Sequence, residues 1–248
     1  MLSVPQMDAV TYERNFIKTA VCEIRFPTLL ELETKEPTAF QKAIRKEYPF
    51  YDAQQGFDVG DDGAAGNRET RRYLFRSKDQ KWTVALRSFS LALDTTKYKD
   101  FEDFEDRVKY VLDRSRDIID ADFFTRVGLR YINNIPIDED DLSGLISPQL
   151  VSNVTEGVFG TVEEYRGIVQ GYTDVGQYSF RHGILKKAAN KENPTKVYVL
   201  DFDFFDENVD FDDVLKKLRS FHDLNFSFFR WCLGDKAVAA LGKATGKR

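Results

Sequence analysis

From Phe124 to Ile135 the side chains alternate in the manner of a strand. Phe124, Arg126, Gly128, Arg130, Ile132 and Asn134 fall on one face, and Thr125, Val127, Leu129, Tyr131, Asn133 and Ile135 on the other. The same period of two marks Thr19–Phe26, which Pro27 ends. It also marks Arg71–Ser77 and Lys81–Arg87, joined as a hairpin across Lys78, Asp79 and Gln80, and a third strand over Phe89–Asp94. A period of three to four marks helices. One runs from about Pro37 to Tyr48, with Pro37 suited to its first turn and Phe40, Ile44 and Tyr48 on one side. The clearest follows Asp100 as its cap and carries Phe101, Phe104, Val108, Val111 or Leu112, Ser115 and Ile118 or Ile119 on its stripe.

The second half repeats this order. Pro136 and the acidic loop Asp138–Asp141 stop the strand 124–135, and a short helix starts near Ser147-Pro148. Strands follow at about 158–170 and 174–185, then a loop over Lys186–Pro194 and a strand over Lys196–Phe205. A helical stretch from Asp210 to Leu233 places Phe211, Val214, Leu215, Leu218 and His222 on one stripe and ends at Gly234. Gly60–Asn67 reads as a flexible loop, and residues 235–248, small and basic, read as a fraying tail. Strand, helix, three strands, helix therefore occurs twice. The expected organisation is an arm over 1–17, α+β halves over 18–122 and 123–234, and a flexible tail over 235–248. The expected fold is α+β: antiparallel sheet packed on two long helices, a duplicated unit of the saddle or helix-grip kind.

Composition narrows the function classes. The 248 residues carry a formal charge of -5, which argues against broad electrostatic capture of nucleic acid and leaves room only for a local basic patch. Two cysteines, Cys22 and Cys232, are too few and too distant for a disulfide framework and fit a reducing compartment. Met1–Val10 does not read as a secretory signal, and no window approaches the ~20 apolar residues of a membrane helix. A cytoplasmic protein that does not engage a membrane is expected. The 21 phenylalanines suit a core of aromatic-rich strands.

No catalytic signature emerges. A Gly-x-Ser-x-Gly elbow is missing, Cys22 sits within an apolar strand, and Gly60–Gly66 lacks the Gly-Lys-Ser/Thr ending of a phosphate loop. Neither histidine belongs to a zinc-type cluster, and His182 reads as a surface residue. No cofactor and no metal are expected.

The residues that invite function are the polar ones at half-buried strand positions. Arg126, Arg130 and Asn134 share a face, and Asp201 and Asp203, with Cα atoms ~6.6 Å apart, project together from another strand. An arginine–carboxylate ladder between neighbouring strands satisfies both sets. Arg130 offers a planar fork for a carboxylate or phosphate, Asn134 a neutral donor and acceptor, and Tyr131 and Phe180 aromatic walls for a pocket or a dimer contact. The first reading is thus a non-enzymatic binding protein, homo-oligomeric, whose partner is a small acidic ligand or a cognate protein. A second is a metal-dependent phosphodiesterase or nuclease built on Asp201, Asp203 and His222. A third is a single-stranded nucleic-acid or protein binder using Arg72 and Arg76 of the arginine–aromatic hairpin.

Five phrases together resemble an uncharacterised family found sporadically in bacteria and archaea: Ala20–Phe26, Ser88–Tyr98, Arg126-Val-Gly-Leu-Arg-Tyr-Ile-Asn133, Leu200–Asp203, and Leu218–His222 with Phe226 and Phe229. The Arg-x-Gly-Leu-Arg-Tyr-Ile-Asn phrase is the most specific. The resemblance covers residues 12–233 and implies no particular activity. Its patchy distribution is typical of accessory genes at defence or toxin–antitoxin loci. Trp231–Gly234 departs from the more polar ending of that family.

Overall fold

A computed structural model describes residues 2–59, 65–137, 141–187 and 195–247. In chain order the elements are β1 (Val10–Tyr12), β2 (Ile17–Arg25), α1 (Glu31–Thr34), α2 (Thr38–Ile44), β3 (Phe50–Val59), β4 (Ala65–Arg76), β5 (Trp82–Arg87), β6 (Ser90–Thr95) and α3 (Phe101–Ile119). Then come β7 (Phe123–Phe124), β8 (Arg126–Pro136), α4 (Pro148–Thr155), β9 (Gly167–Tyr172), β10 (Gln177–Lys187), β11 (Thr195–Asp206) and β12 (Val209–Asp210). The chain ends with α5 (Val214–Cys232), α6 (Asp235–Leu241) and β13 (Ala244–Lys247). The protein is α+β, dominated by antiparallel sheet. Among the described residues no helix is long and apolar enough to cross a membrane.

The chain divides into two compact units. Unit I comprises Thr19–Leu129 and Asp206–Leu218; unit II comprises Met1–Lys18, Arg130–Phe205 and Arg219–Arg248. In unit I the strand order is β3-β4-β5-β6-β2 followed by the start of β8. The pairings from β3 through β2 are antiparallel. In unit II the remainder of β8 is followed by β11-β10-β9, and β10 runs antiparallel to both of its neighbours.

Helix α3 forms as its stripe requires. Asp100 Oδ1 accepts a hydrogen bond from the Asp103 amide at 2.9 Å, satisfying one of the donors left open at a helix start. The helix ends where Asp120 takes a left-handed conformation. Phe101, Phe104, Val108, Val111, Leu112, Ser115 and Ile119 are all buried. Phe104 meets Trp82 of β5 at 6.0 Å between ring centroids, and Val108, Val111 and Leu112 line one small cavity with Cys22, Ile24, Leu91 and Leu93. In unit II the core is aromatic. Phe180 and Phe202 stack at 4.8 Å, and Phe228 of α5 lies 4.7 Å from the first and 5.1 Å from the second. Flat, rigid rings fill the space over a strand pair with little rotamer entropy to lose.

Several expectations change. Phe50–Val59 is a strand, so four strands rather than three follow α2. The strand expected from about 158 begins only at Gly167. Gly157 and Gly160 before it have positive φ, 80° and 63°, which breaks extended chain. Of the loop expected over Gly60–Asn67, residues 60–64 lie outside the described residues and 65–67 open β4; residues 138–140 and 188–194 of the other two expected loops also lie outside them. The terminal segment carries α6 and then β13, which pairs with β1 from the expected arm.

One position tests this packing. Gly183 in β10 has φ of 149°, and a Cβ there would overlap the Tyr165 carbonyl oxygen. Gly183→Ala should lower the unfolding free energy by roughly 2 kcal/mol or more, read as a fall in denaturation midpoint with an unchanged slope.

Candidate anion-binding sheet face

The arginines of β8 are neutralised separately. Arg126 has little exposure (9%), and its guanidinium lies across Gly128: a Cβ on that glycine would sit 2.6 Å from Arg126 Nη1. A strand glycine thus provides the space that a close-lying side chain needs. Arg126 Nη1 donates to Glu23 Oε2 at 3.3 Å, and the same oxygen accepts from Arg25 Nε at 3.0 Å. One carboxylate in unit I therefore serves two guanidinium groups.

In unit II, Arg130 and Asp201 form the fork expected of a planar pair. Nε donates to Oδ1 at 2.7 Å and Nη2 to Oδ2 at 2.6 Å. The Asp201 side chain is 9% exposed and that of Arg130 38%. The Arg130 fork that sequence reasoning offered to a ligand is thus occupied from within the chain. Across the next strand pair, Arg181 stands opposite Asp201 and Ser179 opposite Asp203. The Ser179 hydroxyl is buried and has no hydrogen-bond partner among the described residues.

The other expected residues separate. Asp203 follows Asp201 on its face of β11 and is half-buried. Asn134 lies on the Arg130 face of β8, also half-buried, and its backbone amide donates to Phe16 O at 2.9 Å. Tyr131 points to the opposite face, 5% exposed, with its hydroxyl 3.2 Å from His222 Nδ1. Phe180 is enclosed in the aromatic core, so neither aromatic walls a pocket with Arg130. His222, on the Tyr131 side, is not brought to Asp201 and Asp203, and among the described residues no group of three His, Cys, Asp or Glu side chains could hold a metal. His182 is buried in mid-strand, correcting the surface assignment. Its Nδ1 lies 2.7 Å from the Tyr198 hydroxyl, its ring stacks on Phe180, and burial pushes its pKa down.

A cationic cluster that residue spacing within single strands did not reveal lies in unit I. The β4–β5 register pairs Tyr73 with Leu86, which sets Arg72 opposite Arg87 one step further along. Arg87 in turn faces Ser90, and Ser90 faces Arg25. The adjoining row is Leu74, Ala85, Ala92 and Glu23, and the next is Arg76, Thr83 and Asp94. Small side chains at Ala85, Ser90 and Ala92 therefore form a floor bordered by Arg25, Arg72 and Arg87. The described residues of this face carry five arginines (25, 72, 76, 87, 126) against three carboxylates (Glu23, Asp52, Asp94). Arg76 Nη2 reaches Asp52 Oδ2 at 3.6 Å.

Arg72 is the member left over. It is half-buried, and its Nε is buried with no hydrogen-bond partner among the described residues. Its pKa is pushed down by burial first and then by the adjacent Arg87, an effect that Asp94 opposes and Arg76 reinforces. Burial likewise raises the Asp94 carboxyl, against the pull of Arg72 and Arg76 and a hydrogen bond from Thr83. Like charges directly opposite on a sheet destabilise it unless something neutralises them.

A scan of the sequence against protein-family models matched none, and a search of curated proteins found no match.

The Arg130–Asp201 fork is the part of the motif with a measurable structural role. A double-mutant cycle with Arg130→Ala and Asp201→Ala should return a coupling free energy of about 1–3 kcal/mol in chemical denaturation, with Asp201→Asn alone also destabilising.

Proposed function

We propose that the protein is a non-enzymatic binding protein that receives a carboxylate- or phosphate-bearing small ligand on the arginine-bordered sheet face of unit I. Arg72 carries this reading: a half-buried guanidinium set beside a second one, with a buried Nε–H that no described residue accepts. An unmet buried donor costs roughly 1–3 kcal/mol, and an anion bound between Arg72 and Arg87 removes that cost together with their repulsion. The ligand meets Arg72 and Arg87 rather than Arg130, because Asp201 already occupies the Arg130 fork.

The wider reading is of a duplicated α+β protein of the saddle or helix-grip kind, with α3 and α5 as the two helices that back the strands. Their equal length of 19 residues and the order of the surrounding elements support it. The resemblance to a sporadic bacterial and archaeal family supports a cytoplasmic, accessory role of the kind found at defence loci. Catalysis has less support. Asp201 is engaged by Arg130 and His222 lies on the other side of β8, so the carboxylate–histidine set of a metal-dependent phosphodiesterase is not gathered.

Thermal unfolding at fixed ionic strength, with pyrophosphate, citrate or a short oligothymidylate added, tests the reading. At about 100 times its dissociation constant a small anion should stabilise the wild type by ~2.7 kcal/mol, and Arg72→Gln should abolish that gain. Without ligand, Arg72→Gln should be at least as stable as wild type, because it removes an unmet donor and a like-charge contact. No shift with pyrophosphate or citrate, or an equal shift in Arg72→Gln, would overturn the proposal. A shift with oligothymidylate alone would assign the arginines to nucleic acid instead.

A further inference from the structure

β9, Gly167-Ile-Val-Gln-Gly-Tyr172, is the last strand of the unit II order and is paired on one side only, to β10. Its open side can be assigned from hydrogen bonds. In the turn that follows, the Thr173 amide donates to Gly176 O at 2.7 Å, so the main-chain groups of Thr173 face β10. Alternation then turns those of Tyr172, Gln170 and Ile168 outward. A second bond agrees: the Leu2 amide donates to the outward carbonyl of Tyr172 at 3.2 Å.

This edge lacks the usual charged and proline protections. None of its six residues is charged and none is proline. Ile168, Val169 and Tyr172 are 65%, 45% and 72% exposed. With Val158 and Phe159 they make up five of the ten large hydrophobic side chains that are exposed among the described residues, all within a stretch of unit II ending at Tyr172. Chance scatter would spread such residues along the chain, whereas an interface gathers them.

We infer that a second copy of this chain pairs antiparallel along β9, about a two-fold axis at Gln170. The register that the outward groups allow places Gln170 opposite its own counterpart and Ile168 opposite Tyr172 of the other copy. Both juxtapositions are favourable: two amide side chains can exchange hydrogen bonds, and an aliphatic chain lies against an aromatic ring. Three hydrogen-bonded residue pairs give about six main-chain bonds. The two-fold opposes no like charges, since the strand has none. A strand from an unrelated protein would need its own matching pattern, whereas a symmetric pair generates the match from one sequence. The Leu2 amide yields the Tyr172 carbonyl to the incoming strand. This interface is independent of the arginine face.

Light scattering coupled to size exclusion, or sedimentation velocity, on the full chain reads the outcome. Gln170→Pro removes an outward N–H without touching the β9–β10 ladder, and proline is tolerated on an edge. The wild type should be dimeric at about 10 µM, and Gln170→Pro should weaken the dimer at least about tenfold, about 1.4 kcal/mol. Ile168→Lys with Tyr172→Lys, both at exposed positions, should do the same and serves as a check if the proline variant unfolds. A wild type that stays monomeric at roughly 100 µM, weaker than any specific pairing of this size, overturns the inference. A dimer indifferent to all three substitutions overturns it equally, by assigning the contact to another surface.

Discussion

A guanidinium group leaves water only beside a counter-charge, and that requirement sorts the arginines of these strands. Arg130 meets it with a whole carboxylate to itself. Arg126 and Arg25 share Glu23, and Arg76 draws on Asp52 at longer range. The pairings that cross strands, Arg126 with Glu23, Arg130 with Asp201 and Arg76 with Asp52, favour one register between those strands. Arg72 is the exception. Its surroundings supply repulsion from Arg87 and Arg76 against attraction from Asp94, and the fold tolerates this at a half-exposed position where water still reaches part of the group. The difference between a structural arginine and an available one is thus a matter of which carboxylates the neighbouring strands bring.

Strand alternation makes the arrangement possible. The face opposite the arginines is largely apolar in each unit: Cys22 and Ile24 on β2 and Leu91 and Leu93 on β6 in unit I, and Phe180 and Phe202 on β10 and β11 in unit II, are nearly inaccessible. Burial drives the Cys22 thiol up to about 12, so it behaves as an inert small hydrophobe. Histidine and tyrosine meet on this side in unit II, His182 with Tyr198 and His222 with Tyr131, each giving the other a polar contact, while in unit I the Tyr73 hydroxyl donates to the Leu32 and Lys35 carbonyls. A sheet whose two faces differ this sharply can devote one to cohesion and leave the other to charge.

What the sequence made legible was local. The α3 stripe and its Asp100 cap could be read because helix periodicity and capping act within a few residues, and the two faces of β8 followed from alternation alone. The meeting of Arg130 with Asp201 was anticipated as a ladder between neighbouring strands, since few other arrangements satisfy both groups. Strand β3 was not legible: the alternation of Tyr51, Asp52, Ala53 and Gln54 is short and breaks at Gln55 and Gly56. The Arg72–Arg87 juxtaposition depends on the hairpin register, which spacing within one strand does not specify. His182 looked like a strand-end residue beside Gly183, yet β10 continues past it to Lys187. The β1–β13 pair joins opposite ends of the sequence, where no short-range pattern operates.

Gly128 has a consequence for how this sequence can drift. The Arg126 guanidinium rests where a larger side chain at 128 would project, so replacing the glycine obliges the end of the arginine to shift from its place beside Glu23. Positions 126 and 128 are therefore coupled: a side chain at 128 competes with the Arg126 guanidinium for the same space, and a shorter residue at 126 would release it.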